Sequence, residues 1–425
     1  MTSTQQQVPY LTPVDTAELL KQLIWHEYEL SRMIFGWLPA AGQFEVKGKL
    51  GRYGYLHMMN AMNWLHRIKE LPGGLSESAA TPPFIREKLE RIFLAPSELH
   101  FFVSYQYVLD QFFALYDRLL TKLDVIMDAP TVDQWMKNTL YRAEWVSFVK
   151  CQVNTLYSQT SDFEAIRSWK DYISAVWSAE ARDWPQHPTD EPLGPVPIHS
   201  RYDPRFQEII GEDWPNIYAS PKYSPLSDSV RQMVFINATE IIAAESLCYL
   251  YYQVQGMPLQ FYADLARHLW DEVRHSQMGV RRLLQMGYSL DQFRFFPHIV
   301  MNRETKLESL IDGYFSLTNV AEACSFKSKS RAAEYLWKHN DALSAIQSEF
   351  DIADERLHVD FGSKWGPMLY ERLHQEPITV KDLAQRARVA HLRNRQMRDE
   401  EEAGLAENAS QFCGTVGVKL NYGTY

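Results

Sequence analysis

Residues 271–275 read Asp271-Glu272-Val273-Arg274-His275, and residues 354–358 read Asp354-Glu355-Arg356-Leu357-His358. In each stretch a Glu and a His stand three apart, which on an α-helix places them about 60° apart on one face. One helix can therefore present both side chains to one ion. A single Glu-x-x-His is weak, because a chain of this length holds about one by chance. A third copy, Glu371-Arg372-Leu373-His374, lacks the leading Asp and stands beside Glu376-Pro377 at an expected helix end. It is read as that chance occurrence.

The segments upstream give the two strong copies their weight. Asn237-Ala238-Thr239-Glu240 puts Glu240 32 residues before Glu272, and Asn319-Val320-Ala321-Glu322 puts Glu322 33 before Glu355. With a turn near Gly256, Glu240 and Glu272 each lie about 16 residues away, hence about 24 Å deep at 1.5 Å per residue. A turn near His339 sets Glu322 and Glu355 at matching depths in the same way. Glu245 is expected several ångströms shallower and on another face. The expected cluster is Glu240, Glu272, His275, Glu322, Glu355 and His358. Four carboxylates and two imidazoles inside a helical core are too costly to bury without compensation. Two divalent cations compensate them, and oxygen-rich ligation suits iron or manganese better than a thiolate-loving metal.

Four residues before each Glu stands another polar residue, His268 and Asp351. On the same stripe they can serve as extra ligands or a proton relay, but ordinary helix-surface polarity is the preferred reading.

Helical periodicity dominates the rest of the chain without a series of alternating strands, which predicts an all-α fold. The pattern predicts helices over 16–38, 50–70, 97–126, 131–158 and 162–182. Between Trp184 and Ser227 sit nine of the 21 prolines. Proline lacks a backbone donor, so this stretch reads as an extended connection. Beyond it helices are expected over 229–254, 259–286, 304–338 and 342–365, the last stopped by Gly366-Pro367. Thr379-Val380-Lys381-Asp382 reads as the capped start of a charged helix running to about residue 403. The expected divisions are 1–183, an N-terminal helical domain; 184–227, the connection; 228–377, the metal-binding domain; and 378–425, a helix and tail.

Composition narrows the function. Hydrophobic residues at 46% and charged residues at 23% are ordinary globular proportions, which argues against bulk disorder. A net charge of −10 offers no basic footprint for nucleic acid. Cys151, Cys248, Cys324 and Cys413 form no C-x-x-C pair, which excludes a zinc ribbon or a cysteine-held iron–sulfur cluster. No run approaches the roughly 18 apolar residues of a membrane span. The segment MTSTQQQVPYLTP has neither the basic nor the apolar region of a signal peptide, so a cytoplasmic setting without membrane contact is expected. In the first half, His26-Glu27-Tyr28-Glu29 is read as a solvated helix face, and Trp25, Trp37, Trp64, Trp135 and Trp145 as core.

Glu, Glu-x-x-His, Glu, Glu-x-x-His on four helices resembles the ligand pattern of ferritin-like di-iron and di-manganese carboxylate proteins. Asp271-Glu272-Val273-Arg274-His275 is similar to the D-E-x-R-H motif of di-iron monooxygenase hydroxylase subunits. The resemblance covers about residues 228–365 and implies a four-helix bundle there. It further implies that Asp271 and Asp354 accept from the ring N–H of a ligating His, with Arg274 steadying Asp271. In the second copy Leu357 stands where Arg274 stands in the first. By length the first half can be a duplicated bundle that has lost its site, with His57 and Asn60 where a motif would stand.

Three functions are open at this point. One is a non-heme di-iron oxygenase that uses O2 to hydroxylate or N-oxygenate a small organic substrate. The second is an oxidase, peroxidase or catalase-like protein, of iron or manganese, without organic substrate. The third is a non-enzymatic metal-binding protein. The 227 residues ahead of the expected bundle, in a chain 13% aromatic, and the small Ala243 and Ala244 near Glu240 favour the first. No G-x-G-x-x-G follows a strand, so the electrons are expected from a separate ferredoxin or reductase, or from the substrate itself. A homodimer is expected by analogy with related bundles.

Overall fold

The computed structural model describes residues 10–76, 80–190, 192–208, 237–292, 294–295 and 307–389. The expected helix starts at 229 and 304, residues 191 and 209–227 of the proline-rich connection, the last helix beyond 389, the tail and Cys413 lie outside the described residues. The chain is all-α. Its one strand ladder among the described residues is two residues long, Gln207–Glu208 (β1) parallel to Arg294–Phe295 (β2). No helix among the described residues is long and apolar enough to cross a membrane.

The described residues form two compact units. One is drawn from Met1–Ala41, Lys49–Pro197 and Gln255–Ala263, the other from Gly42–Gly48, Ile198–Val254 and Asp264–Tyr425.

In the first unit, α1 (Pro13–Trp37) opens with a capping box. Thr12 Oγ1 accepts from the Asp15 N–H (3.2 Å) and Asp15 accepts from the Thr12 N–H (3.4 Å), with Pro13 supplying a preset φ at the first turn. From Leu23 onward almost every residue of α1 is buried. This corrects the reading of His26-Glu27-Tyr28-Glu29 as a solvated face, because Glu27 and Glu29 are buried. Glu27 accepts from Asn60 Nδ2 (3.1 Å) and the Tyr116 hydroxyl (2.5 Å) and pairs with His57. Glu29 pairs with Arg32 (2.7 Å) and Arg86 (3.1 Å). Internal partners replace water for both carboxylates.

The unit continues through α2 (Phe44–Ile68, from Lys49 onward), α3 (Pro83–Phe93), α4 (Glu98–Leu120), α5 (Ala129–Thr139), α6 (Arg142–Tyr157) and α7 (Phe163–Ser178). The helix expected over 131–158 is two helices. The Asn138 carbonyl accepts from Asn60 Nδ2 (3.3 Å), so a side chain takes the acceptor that a continuous helix would use where the chain breaks. The helix α3 was not expected. It is short, and its buried stripe is only Leu89, Ile92 and Phe93.

The second unit carries α8 (Ile241–Gln253), α9 (Leu259–Gln285, from Asp264 onward), α10 (Leu307–Ser316), a π-helical turn (Leu317–Glu322), α11 (Ala323–Lys338) and α12 (Ala342–His374). The single helix expected over 304–338 is therefore α10, the π turn and α11. α12 packs along α11 and against the π turn, and α10 packs on α8. Asp341 caps α12 by accepting from the Ser344 N–H (3.2 Å). The expected stop at Gly366-Pro367 is overturned, since α12 runs on to His374. Trp365, Leu369 and Tyr370 stay buried on either side of the proline, and that packing outweighs one lost backbone bond. Gly366 has a further role, because a Cβ there would stand 2.6 Å from a methyl of Leu383.

A candidate metal centre

On α9, His268, Glu272 and His275 follow one another at spacings of four and three, and on α12 so do Asp351, Glu355 and His358. That spacing lines one helix stripe. Glu240 comes from the turn ahead of α8, and Glu322 from the last position of the π turn. A π turn inserts one residue into a helix and is frequently found at functional sites.

The side chains gather in two groups suited to an ion, and among the described residues these are the only two. The first is His268, Glu272, Glu322 and His358. The second is Glu240, His275 and Asp351. In the first, His268 Nε2 is 3.0 Å from Glu322 Oε1 and 3.2 Å from Glu272 Oε1. His358 Nδ1 is 3.3 Å from Glu272 Oε1 and 3.4 Å from Glu322 Oε1. The His268 and His358 rings stack with centroids 3.7 Å apart. In the second group, His275 Nδ1 is 3.1 Å from Glu240 Oε2 and 3.6 Å from Asp351 Oδ1. Glu272 Oε2 reaches toward this group, 3.9 Å from His275 Nδ1.

The outer nitrogens are held in a crossed pattern. His358 Nε2 donates to Asp271 on the other helix (3.4 Å), and His275 Nε2 donates to Asp354 (3.2 Å). In the neutral imidazole this leaves the lone pair on Nδ1, aimed at the carboxylates. Arg274 pairs with Asp271 and with Asp354 (3.1 Å), and Arg267 pairs with Asp271 (2.6 Å) and Asp354 (2.9 Å). Leu357 therefore leaves no gap in this support, because two arginines of α9 serve both aspartates.

Of the six residues expected to converge, Glu272, Glu322 and His358 join the first group, and Glu240 and His275 the second. Glu355 lies in neither: it is ion-paired with Lys329 and accepts from Ser325 Oγ (2.9 Å). His268 and Asp351 were preferred as surface polarity, and that reading is corrected, since both are fully buried among the other side chains. Spacing marks their stripe, but it cannot mark whether the stripe faces water one turn further along. Lys329 was missed, and nothing in a single lysine on a polar helix signals burial. Glu245 is buried and paired with Lys47, apart from both groups. Glu371 is exposed, and His374 is the last residue of α12.

Electrostatics bind these groups together. Burial alone would lower the pKa of His275, but Asp351, Asp354 and Glu240 hold it well above the usual range. Burial opposes the charge on His358 too, and Glu322, Asp271 and Glu272 likewise raise it. Burial would raise Glu272 and Glu322, yet the facing histidines keep both below the usual carboxylate range. Burial and then Asp351 raise Glu240, while burial raises Glu355 to about 8 against the pull of Lys329.

Buried polar atoms normally find partners. Here Glu240 Oε2, His275 Nδ1, Glu322 Oε2 and His358 Nδ1 have no hydrogen-bond partner although all are buried. They belong to residues of the two groups, so a cation fits the donor set. Oxygen and imidazole donors without thiolate suit a divalent cation such as iron, manganese or zinc.

The chain is similar over residues 217–410 to a family described as "Protein of unknown function (DUF455)". That span contains both groups. No curated protein and no solved structure matches the chain.

Proposed function

We propose that this chain is a non-heme dimetal oxidoreductase built on a ferritin-like four-helix bundle, an oxygenase that uses O2 to hydroxylate or N-oxygenate a small organic substrate. Iron is the proposed metal, with manganese the near alternative. The observation that carries the reading is the placement of Glu272, whose Oε1 stands 3.2 Å from His268 and 3.3 Å from His358 while Oε2 faces His275 at 3.9 Å. A carboxylate of the first group that also faces the second would suit a pair of neighbouring ions. When bound, such a pair supplies the electron transfer to dioxygen that side chains alone do not provide.

The chain's own residues set the conditions. Asp271 and Asp354 fix the tautomers of His358 and His275, and Arg267 and Arg274 balance the aspartates. Burial of the first group, and of His275 and Asp351 in the second, limits water and strengthens each electrostatic contact. Tyr314, whose buried hydroxyl has no partner and whose ring centroid lies 6.0 Å from His268, stands beside the first group as a hydroxyl donor in an otherwise acceptor-rich site. Burial keeps that phenol protonated, its pKa raised first by desolvation and then by Glu322. Electrons are proposed to come from a separate ferredoxin or reductase.

The test is O2 uptake by the Fe2+-loaded chain with a chemical reductant, over a panel of aromatic and amine substrates. The reading expects uptake that depends on one class of substrate and is lost in Glu272→Ala. Peroxide disproportionation with no organic substrate, or no O2 turnover at all, contradicts it.

A further inference from the structure

The two halves of the centre are not alike. Lys329 on α11 is 5% exposed. Its Nζ lies 2.9 Å from both Asp351 oxygens and 3.7 Å from Glu240 Oε1, and it is ion-paired with Glu355. Of the two Asp351 oxygens it holds, Oδ1 also stands 3.6 Å from His275 Nδ1. An ion between Glu240, His275 and Asp351 would draw on the same oxygen. In the other half, Glu272 and Glu322 face imidazoles, those of His268 and His358 and, from Glu272 Oε2 at 3.9 Å, that of His275, and among the described residues neither makes an ion pair with a lysine or arginine.

Charge decides the consequence. Carboxylates gathered this closely away from water are destabilising without counter-charge, and in the metal-free fold the ammonium, together with His275, supplies it. The same ammonium repels an incoming divalent ion at short range, in surroundings that screen it poorly. A lysine is a compact charge on a flexible four-carbon stem, able to swing without moving its helix.

We propose that Lys329 is a resident counter-cation that makes metal loading sequential. The first divalent ion enters the His268–Glu272–Glu322–His358 half. The second enters the Glu240–His275–Asp351 half only as the Lys329 ammonium leaves Asp351 and Glu355. The inference rests on the metal-binding reading above. It explains why Glu355, spaced as a ligand, stands outside both groups: Lys329 holds it until the second ion arrives.

The experiment is a titration of the metal-free full-length chain with Mn2+, read by calorimetry and by competition with a chromophoric chelator. It compares the parent chain with Lys329→Met, Lys329→Arg and His268→Ala, each checked for helicity. The parent is expected to show one tight site and a second at least about tenfold weaker, which corresponds to about 1.4 kcal/mol. Lys329→Met should tighten the second site by about tenfold or more and leave the first unchanged, because a repelling charge at contact distance is gone. Lys329→Arg should keep the parent's inequality, and His268→Ala should lose the tight site. Two equal sites in the parent, or a second site unmoved or weakened in Lys329→Met, overturn the inference and leave the dimetal reading standing. A parent chain that takes up no Mn2+ overturns both.

Discussion

Gly362 on α12 faces the π turn, and its replacement by Ala is a demanding probe of how Glu322 is positioned. A Cβ at Gly362 would lie 2.2 Å from Thr318 Oγ1, 2.5 Å from Thr318 Cβ and 3.2 Å from Asn319 Nδ2. Carbon atoms rest about 3.5–4.0 Å apart, so the overlap with Thr318 Cβ exceeds about 1 Å. Rotating the threonine does not relieve it, because Cβ does not move with χ1. Thr318 Oγ1 is also held, donating to the Tyr314 carbonyl (3.0 Å) and accepting from Asn319 Nδ2 (3.0 Å). The π turn and α12 must therefore move apart. Overpacking of this kind costs about 1–3 kcal/mol. At about 2–4 °C per kcal/mol for a unit of this size, Tm should fall by about 2–12 °C. The same displacement carries Glu322 away from His268 and His358, and disturbing the support of a ligand typically weakens metal binding by about 10–100-fold. Thermal melting followed by circular dichroism and chelator competition for Mn2+ measure the two effects. A Gly362→Ala chain that melts with its parent and binds Mn2+ equally well refutes the account of the π turn.

Three further outcomes are expected. Asp271→Asn removes the charged acceptor of His358 Nε2 and should weaken metal binding by about 10–100-fold while the helices persist, as chelator competition and circular dichroism together will show. Lowering pH should weaken metal binding, because His275 and His358, whose pKa values are raised in the metal-free chain, must shed a proton to ligate. Affinity should therefore rise through and above the ordinary histidine range near about 6.5, with protons released on binding that calorimetry in buffers of different ionisation enthalpy detects. Glu371→Ala and His374→Ala should leave metal stoichiometry unchanged, since neither residue belongs to either ligand group, and elemental analysis of each variant checks this.

How much of this was legible in the sequence follows from what spacing encodes. Glu272 with His275 and Glu355 with His358 were marked by the three-residue step, which is a property of the helix itself. Glu240 and Glu322 followed from equal depth across a turn, a geometric constraint that needs only residue counts. The burial of His268, Asp351 and Lys329 depends on which neighbours cover a stripe, and side-chain periodicity on one helix does not contain that. The π turn at Leu317–Glu322 has no composition of its own; it lies where Gly362 of α12 comes against Thr318. Proline at 367 misled because packing on both sides of it outweighed its local preference. Glu27 and Glu29 misled because adjacent charges read as surface, whereas His57, Asn60, Tyr116, Arg32 and Arg86 supply their partners from elsewhere in the chain.

The central claim is that buried side chains of four separated segments hold metal. Elemental analysis of the full-length chain, purified without chelator beside Glu272→Ala, tests it most directly. About one to two iron or manganese ions per parent chain, falling to background in the variant, is the predicted result. A parent chain that carries no transition metal and takes up none from added Fe2+ or Mn2+ would contradict it.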